Sequence, residues 1–397
     1  MSTYRTLAEA ELTDKTVLLR AGFDVPMEDG KVTDTSRIEA LVPTMLYIMQ
    51  ARAKLIIMAH QDRPKGKFVA GMSQKPIVPI LEKMLKTTVH FVSSCTGDAT
   101  QQMVDALRPG DVLLLENLRF DPREEKNDES FARELAALGD MYVNDAFPNC
   151  HREHASMVGV PRLLPSFMGF RLEKEVDALS RAAMNAQKPV ALLISGAKME
   201  TKVPVIEAFL DKADDIMVGG AIANTFIEAE GHDVRASLCD TLFVQKAKSI
   251  IEQSASGHAH LHIPTDVIVG KNPQDSAPAL VDVHAIPDGS AIYDLGSETV
   301  DTYIAAIAKA KTIIWNGPLG LYESEPFATS SKRIAEAVSH STARGAFSVI
   351  GGGDTIDFHT KYGLRMDGYS FVSDGGGAML AFVAGETLPA LELLRSA

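Results

Sequence analysis

Ala346-Phe347-Ser348-Val349-Ile350 reads as a buried strand that runs straight into Gly351-Gly352-Gly353-Asp354-Thr355. Without side chains, Gly352 and Gly353 let backbone N–H groups close on a phosphate, and a helix opening at Asp354-Thr355 turns its positive end to the same anion. Asp354 adds a carboxylate able to hold magnesium. A second run, Tyr369-Ser370-Phe371-Val372, leads into Ser373-Asp374-Gly375-Gly376-Gly377 and then apolar Ala378-Met379-Leu380, a second nest ahead of a second helix. One glycine run after a strand is commonly a tight turn. Two in one half of the chain point to phosphate chemistry.

Two further segments fit that chemistry. Ser195-Gly196-Ala197-Lys198-Met199-Glu200-Thr201-Lys202 follows a strand-like run and begins a helix. Lys198 and Lys202, four apart, are expected on one face near a helix N-terminus, where ammonium groups are repelled until a polyphosphate binds. Trp315-Asn316-Gly317-Pro318-Leu319-Gly320-Leu321-Tyr322-Glu323 bends after another strand. Its apolar residues could bracket a base while Glu323 accepts from a ribose; alone, it would read as a structural loop.

The first half carries a basic set at strand ends. Asp24 and Arg37 follow Val17–Arg20, His60 and Arg63 follow Leu55–Ala59, Arg119 follows Val112–Leu115, and Arg152 follows Met141–Val143. If those strands are parallel, Arg37, His60, Arg63, Arg119 and Arg152 converge on one rim. Arginine's planar fork suits phosphate and carboxylate, so the rim would take a small phosphorylated acid. Any one arginine is more often solvated or paired, and His151 and His154 are weaker candidates for the same reason.

Composition narrows the classes. A chain of 397 residues, 46% hydrophobic, is long for one core and implies two domains. A formal charge of −13 argues against nucleic acid or an anionic membrane as main partner, and the acidic excess lies beyond residue 171. Cys95, Cys150 and Cys239 are too few and too scattered for a disulfide framework or zinc site, which fits reduced cytoplasm. No export segment opens the chain, and no run approaches the roughly 20 apolar residues of a membrane span.

The elements that must position these residues alternate regularly. Val17–Arg20, Leu55–Ala59, Val89–Val92, Val112–Leu115 and Met141–Val143 are strand-like in the first half. Val190–Ile194, Asp215–Val218, Val267–Val269, Thr312–Trp315 and Phe347–Ile350 follow in the second, with helix-like Thr201–Leu210 and Glu298–Lys309 between. The pattern predicts an α/β fold of two doubly wound, Rossmann-like parallel-sheet domains, joined by a charged helix over Phe170–Met184. Ligands of such sheets sit beyond the carboxyl ends of the strands, where the candidates fall.

Together these segments resemble phosphoglycerate kinases, in order and over essentially the whole chain. Glu116-Asn117-Leu118-Arg119-Phe120, Trp315-Asn316-Gly317-Pro318 and Gly351-Gly352-Gly353-Asp354-Thr355 carry the resemblance. It implies reversible phosphoryl transfer between 1,3-bisphosphoglycerate and MgADP, giving 3-phosphoglycerate and MgATP, in a cytoplasmic monomer that closes about a hinge. The implied organisation is a phosphoglycerate-binding domain over 1–170, a connecting helix over 171–187, a nucleotide domain over 188–380, and a segment over 381–397 returning to the first domain. By position, Arg37, His60, Arg63, Arg119 and Arg152 would bind phosphoglycerate. Lys202, Asn316, Glu323, Asp354 and Thr355 would bind nucleotide and magnesium, with Gly219 and Gly220 near the adenine. Lys198 and Arg37 would neutralise the phosphoryl group in transit, helped by backbone N–H groups of Gly352-Gly353 and Gly375-Gly376.

This chain departs from the family pattern at Gly22, where an Asp that holds the substrate hydroxyl is expected, and at Asp24, where Asn is expected. Asp62 adds negative charge nearby, and Ser195, Ala221, Pro148 and Asp374 also replace family residues. A carboxylate at Asp24 would partly replace what Gly22 lost, and Gly22→Asp would improve phosphoglycerate affinity. Two alternatives stay open: a kinase of this fold acting on a related phosphorylated carboxylic acid, and a catalytically weak nucleotide-binding regulatory protein. A nicotinamide-dependent dehydrogenase would need a glycine-rich fingerprint after Val17–Arg20, which is missing.

Overall fold

The computed structural model describes residues 4–396. Strand Thr16–Ala21 is buried from Val17 onward and pairs in parallel with Lys54–Met58 on one side and Met141–Asp145 on the other. Alternation along the strands divides their side chains between two core layers. Val17, Leu19, Leu55 and Ile57 join Ile38, Leu41, Met45 and Ile48 of helix Ser36–Gln50. Leu18, Ile56 and Leu113 join Phe131, Ala132 and Leu135 of helix Glu129–Ala136. Strands apolar on both faces require cover on both, and a doubly wound sheet provides it.

The complete sheet runs Val89–Phe91, Val112–Leu114, Lys54–Met58, Thr16–Ala21, Met141–Asp145, Ser166–Met168, all parallel. Its order turns back between Thr16–Ala21 and Met141–Asp145, so a crevice opens beyond Ala21 and Asp145. The second sheet runs His260–His262, Asp215–Gly219, Val190–Ser195, Thr312–Asn316, Phe347–Gly351, Phe371–Ser373, again parallel. Here the reversal lies between Val190–Ser195 and Thr312–Asn316. Trp315 is fully buried there, and its indole N–H donates to Gly317 O at 2.7 Å.

One expected strand lies elsewhere. Val267–Val269, placed by its pattern in the parallel sheet, belongs to Asp266–Gly270, the centre of a separate antiparallel sheet between Ala279–Asp282 and Ala291–Leu295. No helix separates Asp266–Gly270 from Ala279–Asp282, so the crossover that a parallel return needs is missing and the chain folds back directly.

The chain divides into two compact units. The first runs through Val176 and regains the chain from Thr387 onward; the second is Asp177–Glu386. The first division falls inside helix Phe170–Ala183, whose start is held by Asp145, Oδ1 of which accepts from Leu172 N at 2.8 Å. Residues 381–386, assigned by sequence to the returning segment, stay with the second unit because helix Gly377–Ala384 buries Ala378, Met379, Phe382 and Val383. The return is fixed by Arg5 N donating to Leu394 O at 2.8 Å and Ala390 N to Cys150 O at 3.3 Å. Among the described residues, no helix is long and apolar enough to cross a membrane.

Candidate active site

In the first unit, Gly22, Asp24, Arg37, His60, Asp62, Arg63, Arg119, Pro148, Asn149 and Arg152 line one cavity of about 130 Å³ at the strand reversal. All six first-half candidates, Asp24, Arg37, His60, Arg63, Arg119 and Arg152, are thus brought together. Parallel strands place their carboxyl ends side by side, which is why residues so distant in sequence meet.

The cavity's electrostatics favour an anion. Arg119 is nearly buried; burial, then Arg152 and Arg20, pull its pKa down to about 10. Its Nη1 donates to Asp62 O at 2.8 Å, while Nη2 is buried without a hydrogen-bond partner. A buried guanidinium donor left unpaired among other cations is unfavourable until a ligand accepts from it. Arg37 donates Nη1 to Asp24 O at 2.6 Å, and Arg152 Nε lies 3.4 Å from His151 Nε2.

Asp24 sits in left-handed backbone, φ 38°, and accepts from Asp62 N on Oδ1 at 2.7 Å. Burial would raise its pKa, but His60, the Asp62 N–H and Arg37 outweigh that and hold the carboxyl well below its ordinary value. The cavity therefore contains a fixed acceptor among its donors. At Gly22, a Cβ would meet Ala146 Cα at 3.2 Å, so a side chain there needs a small backbone shift.

In the second unit, Lys202 donates Nζ to Asn316 Oδ1, and Asn316 Nδ2 donates to Gly351 O at 2.8 Å. Thr355 Oγ1 donates to Gly351 O and accepts from Gly317 N, both at 2.9 Å. These bonds join the ends of neighbouring strands Thr312–Asn316 and Phe347–Gly351 to helix Gly353–Lys361. Gly352 caps that helix at φ 103°, and a Cβ there would lie 2.7 Å from Asn316 Nδ2. Burial lowers the Lys202 pKa to about 8, against the opposing pull of Asp354.

The expected lysine pair is not symmetrical. Lys198 precedes helix Met199–Phe209 in extended conformation and is exposed, whereas Lys202, inside the helix, reaches Asn316. The helix begins one residue too late for both to share its face. Gly375 also differs from expectation: its N–H donates to Ser373 Oγ at 3.1 Å rather than standing open to an anion. Gly376, at φ 52°, caps helix Gly377–Ala384.

A second cavity, about 350 Å³, is lined by Gly220, Tyr293, Leu319, Leu321, Glu323 and Asp354 among others. Gly219 is outside its lining, but a Cβ there would lie 2.4 Å from Leu319 Cδ2, so its hydrogen lets the wall approach. Tyr293 and Asp294 also line this cavity and went unnoticed in the sequence. They lie on the antiparallel strand Ala291–Leu295, whose placement the local pattern does not reveal. Asp294 is buried, which raises its pKa to about 7, and it accepts from Ser330 N at 3.1 Å.

A sequence model of the family described as phosphoglycerate kinase matches residues 7–386. The chain is 42% identical over 390 residues to a phosphoglycerate kinase of Moorella thermoacetica, covering 98% of each. It is likewise 42% identical to one from Methylorubrum populi over the whole of both. Its fold is similar to the solved phosphoglycerate kinase of Coxiella burnetii, with a TM-score of 0.89 at 36% identity and 98% of each chain covered. Since matches of this extent accompany both cradles, the chain belongs to the phosphoglycerate kinase family.

Proposed function

We propose that the two cavities hold the two substrates of the family's reaction, reversible phosphoryl transfer between 1,3-bisphosphoglycerate and ADP. The first-unit cavity takes the phosphoglycerate, with Arg37, Arg63, Arg119 and Arg152 on its anionic groups and His60 beside Asp24. The second-unit cavity takes the nucleotide, its base between Leu319 and Gly220 and its ribose at Glu323. Lys202, Asn316 and Thr355 then hold the phosphates at the helix N-terminus behind Gly352 and Gly353.

The observation that carries this reading is the apolar cavity that ends at Asp354, in the first turn of helix Gly353–Lys361. A base and a polyphosphate need that sequence of environments. Asp354 is exposed, and among the described residues no group of three or more metal-binding side chains occurs. One carboxylate suits magnesium, which keeps waters and substrate phosphates as its remaining ligands. Bound with nucleotide through Asp354, magnesium would neutralise phosphate charge.

Phosphoryl transfer asks for positioning and charge stabilisation, with no covalent protein intermediate. Lys198, exposed and tied to no helix face, is free to follow the phosphoryl group, and Arg37 meets it from the acid's side. The substrates belong to different units, so turnover includes a closing motion that excludes water. Asp24, standing where the family pattern has Asn while Gly22 lacks the expected carboxylate, favours a second reading for the acceptor alone, a related phosphorylated carboxylic acid. Calorimetric titration separates the sites: Arg119→Ala should lose 3-phosphoglycerate binding and keep ADP, and Lys202→Met the reverse. Loss of both ligands in either folded variant would contradict the division.

A further inference from the structure

Behind the first-unit cavity runs a buried relay. Glu124 is fully buried and accepts from Ser156 N at 3.0 Å and from Ser156 Oγ at 2.6 Å. With its hydroxyl hydrogen directed at Glu124, Ser156 Oγ accepts from Arg20 Nε at 2.9 Å. Arg20, itself fully buried, donates Nη1 to Ala21 O at 2.6 Å and brings Nη2 within 3.0 Å of His60 Nδ1. A guanidinium has donors only, so Nδ1 must carry the lone pair. The other ring nitrogen, Nε2, lies 3.6 Å from Asp24 Oδ2, which can only accept. Both ends of the imidazole demand the same tautomer.

We propose that Arg20 is a positioning residue that fixes neutral His60 with its proton on Nε2, so that the ring supports Asp24 and adds no charge to the cavity. Its surroundings agree. Burial, then Arg20 and Arg119, disfavour an imidazolium at position 60, and the opposing pull of Asp24 leaves its pKa at about 3. His154 is lowered to about 3 by burial, Arg20 and Arg119, and His151, beside Arg152, is lowered by burial and by that arginine. With these imidazoles disfavoured as cations, the positive charge facing a ligand comes from the arginines. Only the kinetic consequence rests on assigning phosphoglycerate to this cavity; the tautomer does not.

The test is long-range proton–nitrogen NMR of the ligand-free, full-length protein labelled with 15N-histidine, with His60 assigned by its loss in His60→Gln. Nδ1 should show the shift of an unprotonated nitrogen, unchanged from pH 5 to 8. A proton on Nδ1, or titration near 6.5, would overturn the proposal. Arg20→Gln, whose amide oxygen can accept from Nδ1 where the guanidinium can only donate, should mix the tautomers and raise KM for 3-phosphoglycerate about tenfold, with KM for ATP unchanged. If that variant fails to fold, Ser156→Ala removes one anchor of Arg20 and should act in the same direction, less strongly. Folded variants that keep the wild-type tautomer and KM would refute the role of Arg20. A wild-type enzyme with the expected tautomer but no use of 3-phosphoglycerate would refute only the substrate assignment.

Discussion

The amide of Asn316 donates to the carbonyl oxygen of Gly351 at 2.8 Å, linking the last residues of two neighbouring strands. The same side chain accepts from Lys202, so one residue sets both the glycine turn and the ammonium beside it. Asn316→Ala should therefore loosen both and lower kcat about 10- to 100-fold, the range for a hydrogen bond to a charged group. Steady-state kinetics with folding checked by circular dichroism would measure this; an unchanged kcat would separate the web from catalysis.

Gly352 should not tolerate even a methyl group. Its φ of 103° strains any L side chain, and the added Cβ would press on Asn316 Nδ2 at 2.7 Å. Gly352→Ala should weaken ADP binding by about 1–3 kcal/mol. Phosphoglycerate affinity, measured by the same titrations, should stay as it is.

Lys202 supplies a pH signature. Its folded pKa of about 8 lies below the ordinary lysine value of 10.5, and burial is the cause. Between those values the unfolded chain binds more protons, so this residue makes stability rise with pH from about 8 to 10.5. Nucleotide binding needs the charged form, so KM for ATP should climb above about pH 8 while stability does not fall on its account. Lys202→Met should remove the pH-dependent rise. Thermal melts and KM profiles across that window would check both signs.

At Gly22 the geometry argues against the gain in affinity expected from sequence for Gly22→Asp. Restoring a carboxylate there would add a second acid to the cavity that holds Asp24, whose pKa is kept well below its ordinary value by His60, the Asp62 N–H and Arg37, and the new Cβ would lie 3.2 Å from Ala146 Cα. Gly22→Asp alone should raise KM for 3-phosphoglycerate several-fold through like-charge repulsion. Adding Asp24→Asn should recover most of the loss. A single variant better than the natural enzyme would show that Asp24 does not occupy that role.

Much of this was legible in the residues, for identifiable reasons. Val17-Leu18-Leu19 and Ile313-Ile314-Trp315 are apolar on both strand faces, which only a covered sheet satisfies, and parallel pairing then gathers Arg37, His60, Arg63, Arg119 and Arg152. Asp266–Gly270 carries a similarly short apolar run, and nothing local distinguishes an antiparallel centre from a parallel one. The placement of Tyr293 and Asp294 depends on that pairing and was hidden with it. Lys198 and Lys202 diverge because the helix starts after Lys198, and helix ends are decided by a residue or two that spacing does not resolve.

The most direct measurement is the turnover of the purified full-length chain with 3-phosphoglycerate and MgATP, compared with Lys198→Ala. Lys198 is exposed and its side chain makes no cap to its helix, so its removal should leave the melting temperature unchanged. The natural chain should saturate in both substrates, and the variant should fall at least about 100-fold in kcat with little change in either KM. Undiminished turnover in Lys198→Ala would contradict the part assigned to that lysine. A natural chain that binds ATP but transfers no phosphoryl group to 3-phosphoglycerate would contradict the proposed function itself.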